Sequence, residues 1–197
     1  MKDFLLSSLA GLITGILAIP IIKNLELPIP VAVFVLPPAI AILFGVGVAI
    51  ARWLGQWLRW LFQFSKFVAT GFMNAAVDFG ILNLLIYLTG IAGGGGYIVF
   101  KGASFIVANI NSYIWNRAWV FSGRAPSTDK RNEYVQFLVV SVVGLLLNVS
   151  AAVVVVSAIG PQFGMSAKAW ANMGAAAGSA TGLLWNFLGY KFIVFRA

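Results

Sequence analysis

Six apolar stretches, each long enough to form a membrane-spanning helix, dominate the chain. They cover residues 4–22, 31–51, 67–89, 97–121, 135–158 and 169–192. About 20 consecutive apolar residues are enough for a helix to cross a hydrocarbon core of roughly 30 Å. Only 9% of the residues are charged, whereas soluble domains typically carry about 25%. The sequence therefore predicts an all-α membrane protein with six transmembrane helices.

The stretches divide the chain into three predicted parts. Residues 1–51 form an additional N-terminal hairpin, whose second helix starts after Pro37-Pro38 or is kinked there. Residues 52–65 combine tryptophans with basic and amide groups at helical spacing. That pattern predicts a short amphipathic helix in the cytoplasmic headgroup layer, or else a continuation of the second span. Residues 66–197 contain the last four spans as two helical hairpins.

Similar segments close these two hairpins. Asn116-Arg117-Ala118-Trp119-Val120-Phe121 ends the first, and Tyr190-Lys191-Phe192-Ile193-Val194-Phe195 ends the second. Upstream, Lys66-Phe67 with Asp78 corresponds to Gln136-Phe137 with Asn148. The correspondence predicts a duplicated hairpin whose copies enter the membrane with the same orientation, related by an axis along the membrane normal.

Basic residues are distributed unevenly across the predicted spans. Of the 13 lysines and arginines, only Lys23, Lys101 and Lys168 fall on one side, and the other ten fall on the opposite side. The side rich in basic residues is expected to be cytoplasmic. We therefore expect a bacterial inner-membrane protein with both termini in the cytoplasm. Topology accounts for the net charge of +8, so nucleic acid is not an expected partner.

Several residue types needed for catalysis are missing. The chain has no cysteine and no histidine, which excludes thiolate chemistry and removes the commonest general base. Four of the five acidic residues (Asp3, Glu26, Asp129 and Glu133) fall in predicted tails or loops. We therefore predict no catalytic residues, no metal site, no cofactor and no enzymatic activity.

Asp78 is the only ionisable residue predicted near the middle of the membrane. A charge at that depth costs roughly 2.5–3.5 kcal/mol on insertion scales, so it should face a cavity or a partner. Lys66, Thr70, Asn74 and Asp78 recur every fourth residue and share one helical face. This polar stripe indicates substrate or proton handling. The alternative is a hydrogen-bonded Asp78 that only holds helices together.

The other repeated spans also carry polar residues on one face. These residues either pack helices together or line a groove, and the basic and aromatic ones either bind phosphate or anchor the helix ends at the interface. The further candidate binding residues are Asn109, Asn116, Arg117 and Trp119 on the fourth span, Asn148 on the fifth, and Asn186 and Lys191 on the sixth. Gly174-x-x-x-Gly178-x-x-x-Gly182 is predicted to serve packing or self-association.

Residues 66–195 resemble the GtrA-like membrane proteins, a family of four-span proteins. The matching elements are Lys66-Phe67 with Gly71, Val77-Asp78-Phe79-Gly80, Asn116-Arg117-x-Trp119-Val120-Phe121, Glu133-Tyr134-Val135-Gln136-Phe137, Asn186-Phe187 and Val194-Phe195. Two features depart from the pattern: Tyr190-Lys191-x-Ile193 stands where Asn-Arg-x-Trp is usual, and residues 1–51 lie outside the unit. The resemblance implies translocation of a polyprenyl-phosphate-linked monosaccharide, such as bactoprenyl-phosphate glucose, for cell-surface glycan modification.

Two other functions remain open from the sequence. The protein could anchor a membrane glycosyltransferase and present its lipid substrate, or export cationic hydrophobic compounds with Asp78 as the counter-ion. The expected partners are the polyprenyl-phosphate-sugar lipid, the bilayer, a second copy of the chain in a homo-oligomer (most simply a dimer), and a membrane glycosyltransferase.

Overall fold

Long helices make up most of the residues that the structure describes. The computed structural model describes residues 1–24, 32–91, 94–123, 129–164 and 167–196. The helices are α1 (Lys2–Asn24), α2 (Ala32–Leu54), α3 (Arg59–Thr89), α4 (Gly94–Trp115), α5 (Lys130–Val153) and α6 (Ala167–Gly189). Three of them continue as π-helical segments, Asn116–Val120 after α4, Val154–Ile159 after α5 and Tyr190–Val194 after α6. Over the described ranges the prediction of an all-α protein is confirmed.

Four helical segments within the described residues are long and apolar enough to cross a membrane. They are Lys2–Lys23, Phe34–Leu54, Trp60–Thr89 and Lys130–Ala151. Large apolar side chains on these segments remain exposed, among them Ile42 (64%), Phe72 (62%) and Leu146 (61%). Contiguous apolar surface of this kind is rare on soluble monomers. The chain is therefore a membrane protein.

The chain divides into two compact units, Met1–Ser122 and Gly123–Ala197. In the first unit, α1 packs against α2 and α3, and α3 packs against α4. Glycines allow the close approach of α1 and α2: a Cβ added at Gly11 would meet the carbonyl oxygen of Ile40, and one at Gly15 would meet the Cα of Pro37. Small residues at such positions let helix backbones approach closely.

Helix α2 begins at Ala32, ahead of Pro37-Pro38. Of the two predicted alternatives, a helix start after the prolines is therefore wrong, and a kink at the prolines stays a prediction. A proline inside a helix lacks the N–H group that would bond to the carbonyl one turn earlier. In membrane helices such prolines are tolerated because neighbouring helices and local adjustments satisfy the freed groups, and here α1 packs closely against Pro37.

Residues 52–65 do not form a helix of their own, in contrast to the predicted interfacial helix. Residues 52–54 complete α2, and residues 59–65 are the first turns of α3. The chain folds back sharply between them, since a Cβ added at Gly55 would lie 2.9 Å from the Cβ of Phe62. With 31 residues, α3 is about 46 Å long.

The end of α3 and the start of α5 have defined caps. Gly90 ends α3 with φ of 72°, and its N–H donates to the carbonyl oxygen of Ile86 at 2.7 Å. A left-handed glycine is a common way to end a helix. Helix α4 begins at Gly94, within a run of four glycines. Asp129 caps α5 by accepting the N–H of Asn132 at 3.0 Å.

In the second unit, α5 and α6 pack closely at small residues. A Cβ added at Gly144 would meet the Asn186 side chain, and one at Gly182 would lie 3.0 Å from the Gly144 carbonyl oxygen. Gly189 approaches Val140 in the same way. Gly182 therefore serves packing within this unit. The surroundings of Gly174, at the other end of the predicted glycine motif, lie outside the described residues.

Candidate functional site

Helices α3 and α4 run antiparallel and share a line of polar contacts. At one end, Gln63 Nε2 donates to the carbonyl oxygen of Val120 at 3.3 Å, and Lys66 Nζ donates to that of Trp119 at 3.2 Å. Further along, Ser104 Oγ donates to Asp78 Oδ1 at 2.7 Å. These pairings fix the register of the two helices. The polar face predicted on α3 therefore lies along α4.

Asp78 is half-buried in this line, and its partner Ser104 is fully buried. The sequence singled out Asp78 but not Ser104, which stands five residues before the nearest predicted candidate, Asn109. A serine among small residues is a weak signal by itself. Its role becomes visible only once the register with α3 is known.

Two buried amides lie along the same pair of helices. Asn116 is 1% exposed, and its Nδ2 donates to the carbonyl oxygen of Ser112 at 2.8 Å and to the hydroxyl oxygen at 3.3 Å. Its Oδ1 is buried, as is Oδ1 of Asn74 on α3. Neither oxygen has a hydrogen-bond partner among the residues that the structure describes. Native proteins leave few such atoms unpaired, so these two positions call for a donor from outside the described residues.

A π-helical turn shapes the end of α4. The N–H of Phe121 donates to the carbonyl oxygen of Asn116 at 2.8 Å, five residues earlier. The turn buries the side chains of Trp119, Val120 and Phe121 and leaves Arg117 half-buried. Single π turns are frequently found at functional sites. The segment ending α6 has the same geometry, with the Phe195 N–H donating to the Tyr190 carbonyl oxygen at 2.8 Å.

The start of α1 also contributes to this end of the first unit. Asp3 Oδ1 accepts the indole N–H of Trp119 at 3.0 Å and lies 3.7 Å from Lys66 Nζ. The side chains of Lys66 and Asp3 are 12% and 27% exposed. The sequence placed Asp3 in a tail, and a contact across 116 residues leaves no local signal. We call Asp3, Lys66 and Trp119 the anion cluster.

Candidate residues of the second unit have different surroundings. The Asn186 side chain covers Gly144, and its Oδ1 is buried without a partner in the described part of the chain. Asn148 packs against Gly182, with its Cβ 3.1 Å from an added Cβ. Lys191 Nζ lies 5.4 Å from the ring centre of Phe192. This last contact is a cation–π interaction.

In the second unit, the residue that aligns with Asn116 has a hydrogen-bond partner on the neighbouring helix. Tyr190 aligns with Asn116 at the start of the π turn, and its hydroxyl lies 2.7 Å from Ser141 Oγ on α5. The Tyr190 ring stacks on Phe137 with ring centres 4.5 Å apart. Asn116 has no such cross-helix bond to its Oδ1 in the described residues. The predicted polar residues are thus gathered as one set on α3 and α4 and another on α5 and α6.

Comparisons with known proteins identify the family. Over 78 residues the chain is 31% identical to the uncharacterized membrane protein YngA of Bacillus subtilis (strain 168). This match covers 40% of the chain and 48% of YngA, so the chain spans about half the length of that curated relative. No solved structure matches the chain. The sequence model of the family described as "GtrA/DPMS, transmembrane domain" matches residues 66–195, well over half of the chain, and the protein therefore belongs to the GtrA/DPMS transmembrane-domain family.

Proposed function

We propose that the protein translocates a polyprenyl-phosphate-linked monosaccharide, such as bactoprenyl-phosphate glucose, across the bacterial cytoplasmic membrane. The observation that carries the proposal is the pair of buried, unpartnered amide oxygens of Asn74 and Asn116. A sugar hydroxyl is a donor that could reach such oxygens within the membrane. Membership of the family supports the same function.

The physical barrier to this transport is the headgroup. Moving an unpaired hydroxyl into hydrocarbon costs about 4–8 kcal/mol, and an isolated charge costs far more. A path lined by hydrogen-bonding groups lowers that barrier, while the polyprenyl tail stays in lipid. In the proposal the protein acts by binding and release, without chemical catalysis.

In the proposal, the role of each residue depends on its depth in the membrane along α3 and α4. Lys66 and Arg117 attract the phosphate at the cytoplasmic end, and Trp119 supplies an indole N–H there. Asn74, Asp78 and Asn109 then accept or donate to sugar hydroxyls. Within the second unit, Asn148 and Asn186 have the same role. Lys191 retains an anchoring role at the interface because its surroundings are aromatic.

The proposed topology has six spans, with both termini in the cytoplasm. The first unit supports it, because Asp3, Lys66 and Trp119 meet at one end. At the other end of α1 and α3, Lys23 Nζ lies 5.4 Å from the Tyr87 ring centre. The side chains of Lys101 and Lys168 lie outside the described residues. The similar π turns after α4 and α6 support two duplicated hairpins.

Cysteine labelling tests this topology cleanly, because the chain has no cysteine of its own. We expect a membrane-impermeant maleimide to label Gln162→Cys in intact spheroplasts, since that exposed turn is assigned to the outer face. Lys130→Cys, exposed at the start of α5, should react only after the membrane is opened. Equal labelling of both positions in intact spheroplasts would contradict the assignment.

Asn116 provides the functional test. Purified protein in sealed liposomes is expected to take up a short-chain prenyl-phosphate glucose, and Asn116→Leu is expected to slow that uptake about fivefold. The same substitution removes a buried oxygen without a partner, which destabilises the fold by about 1–3 kcal/mol, but it also loses the two bonds from Nδ2 to Ser112. The melting temperature should therefore stay close to the wild-type value. Uptake is measured with a radiolabelled sugar.

Asn83→Leu, on α3, is the matched control. Asn83 Nδ2 also donates to the carbonyl oxygen one turn earlier, that of Phe79, but its Oδ1 is not a buried oxygen without a partner. It should transport as the wild type does. Wild-type protein that shows no uptake above empty liposomes would contradict the proposed function. Stable copurification with a glycosyltransferase, together with absent uptake, would favour an anchoring role, as for transmembrane domains in polyprenyl-phosphate sugar synthases.

A further inference from the structure

The N-terminal hairpin brings a carboxylate to two donors of the family domain. Lys66 and Trp119 lie within residues 66–195, which match the family, whereas Asp3 lies outside them. The Trp119 indole N–H and the Lys66 ammonium group converge on the same oxygen, Asp3 Oδ1, at 3.0 and 3.7 Å. An ammonium group and an N–H aimed at one point form a binding site for an oxyanion.

We infer that Lys66 and Trp119 form a lipid-phosphate site, and that Asp3 occupies it as an internal competitor. The inference rests on the proposed function, and it gives the N-terminal hairpin a role that the sequence left unassigned. A phosphate oxygen of a prenyl phosphate takes the place of Asp3 Oδ1. Asp3 returns when the lipid leaves, so the site never presents an unpaired buried ammonium group.

The contacts of Asp3 with Lys66 and Trp119 allow another anion to displace the Asp3 side chain. The Lys66–Asp3 separation of 3.7 Å is longer than the roughly 2.7–2.9 Å of a strong charge-assisted hydrogen bond. Lys66 keeps a second partner, the Trp119 carbonyl oxygen at 3.2 Å. The start of α1 is held through its backbone, because Ser7 Oγ donates to the Asp3 carbonyl oxygen at 2.9 Å. The Asp3 side chain can therefore leave without unwinding the helix.

A competitor inside the chain lowers apparent affinity by the fraction of time that the site is open. If Asp3 fills the site about four-fifths of the time, removing its charge increases affinity for the lipid about fivefold. Binding of the polyprenyl tail alone is unaffected, because Lys66 and Trp119 contact only the phosphate headgroup in this proposal. The charge of the ligand and its tail can therefore be tested separately.

The test uses the full-length protein in detergent micelles, with binding measured by isothermal titration calorimetry. The probes are farnesyl phosphate, farnesol as the uncharged tail and inorganic phosphate as the tail-less anion. Asp3→Asn keeps an oxygen for the Trp119 N–H but removes the charge, and should bind farnesyl phosphate about fivefold more tightly with farnesol unchanged. Asp129→Asn is the matched control, because it removes one carboxylate and still caps α5.

Each alternative result has a definite meaning. The inference is overturned if the Asp3→Asn protein binds farnesyl phosphate with the wild-type affinity or more weakly. If this variant has a lowered melting temperature, Asp3→Ser is measured in its place. If Lys66→Gln loses binding while both Asp3 variants match the wild type, the phosphate site and the proposed function stand without the competitor. If Asp3→Asn gains affinity but no variant transports in liposomes, the site stands and the proposed function fails. A gain seen equally with inorganic phosphate overturns the assignment to a lipid.

Discussion

Replacing Asp78 by alanine is expected to slow uptake of a prenyl-phosphate sugar by between about tenfold and a hundredfold. Asp78 lies near the middle of α3 and accepts a hydrogen bond from Ser104 at 2.7 Å. A carboxylate can accept several hydrogen bonds, so this bond leaves it able to pair with a sugar hydroxyl. Hydrogen bonds to charged groups contribute about 1.5–3 kcal/mol, which sets the size of the effect. The measurement is the rate of uptake into sealed liposomes.

Two companion variants separate charge from hydrogen bonding. Asp78→Asn keeps an oxygen for the Ser104 hydroxyl but carries no charge and no titratable proton, and the aligned residue of the second unit is already an asparagine, Asn148. A wild-type rate in Asp78→Asn would exclude proton carriage by this residue. Ser104→Ala reports on the bond itself. A wild-type rate in a well-folded Asp78→Ala protein would remove Asp78 from the mechanism.

Gly144→Val is expected to destabilise the protein by about 1–3 kcal/mol, the usual effect of forcing extra atoms into a packed interface. A Cβ at this position meets the side chain of Asn186. The Gly144 carbonyl oxygen is also close to the facing helix, 3.0 Å from a Cβ added at Gly182. The added methyl groups must therefore push α5 and α6 apart. The measurement is the melting temperature in detergent, monitored by the circular dichroism signal of the helices.

Gly71→Val serves as the control for that experiment. It makes the same chemical change within α3, but a Cβ at Gly71 has no atom within 4 Å among the described residues. Its melting temperature should stay close to the wild-type value. Equal melting of Gly144→Val and wild type would mean that α5 and α6 do not approach each other at this glycine.

The helices and the family were predictable from the sequence because both depend on local patterns. Runs of apolar residues place the helices, and the ordered motifs between Lys66 and Phe195 identify the family that the comparisons confirm. Predictions from the local sequence were wrong where packing between helices overrides the helix propensity of individual residues. Pro37-Pro38 reads as a helix breaker, yet α2 runs through it. The amphipathic pattern of residues 52–65 reads as a surface helix, yet Gln63 contacts the π-helical segment that follows α4.

Candidate site residues divide in the same way. Asp78, Asn74 and Asn116 stand out in sequence because polar groups are rare in apolar helices. Ser104 and Asp3 were missed because their importance depends on which helix lies opposite. The π turn at Asn116 was also invisible, since one additional residue per turn leaves the pattern of apolar residues almost unchanged. That turn buries Trp119, whose indole N–H reaches Asp3.

The length of α3 has a consequence for how the protein responds to its host lipids. A helix of about 46 Å exceeds a typical hydrocarbon core of roughly 30 Å, and such a mismatch is relieved by tilting or by local bilayer deformation. Lys66 lies in the first third of this helix, so acyl-chain length sets its depth below the headgroups. In the proposed topology, a thin bilayer places the Lys66 end of α3 above the hydrocarbon core, and a thick bilayer places it inside the core. Lipid composition would thereby adjust how readily a phosphate headgroup is captured.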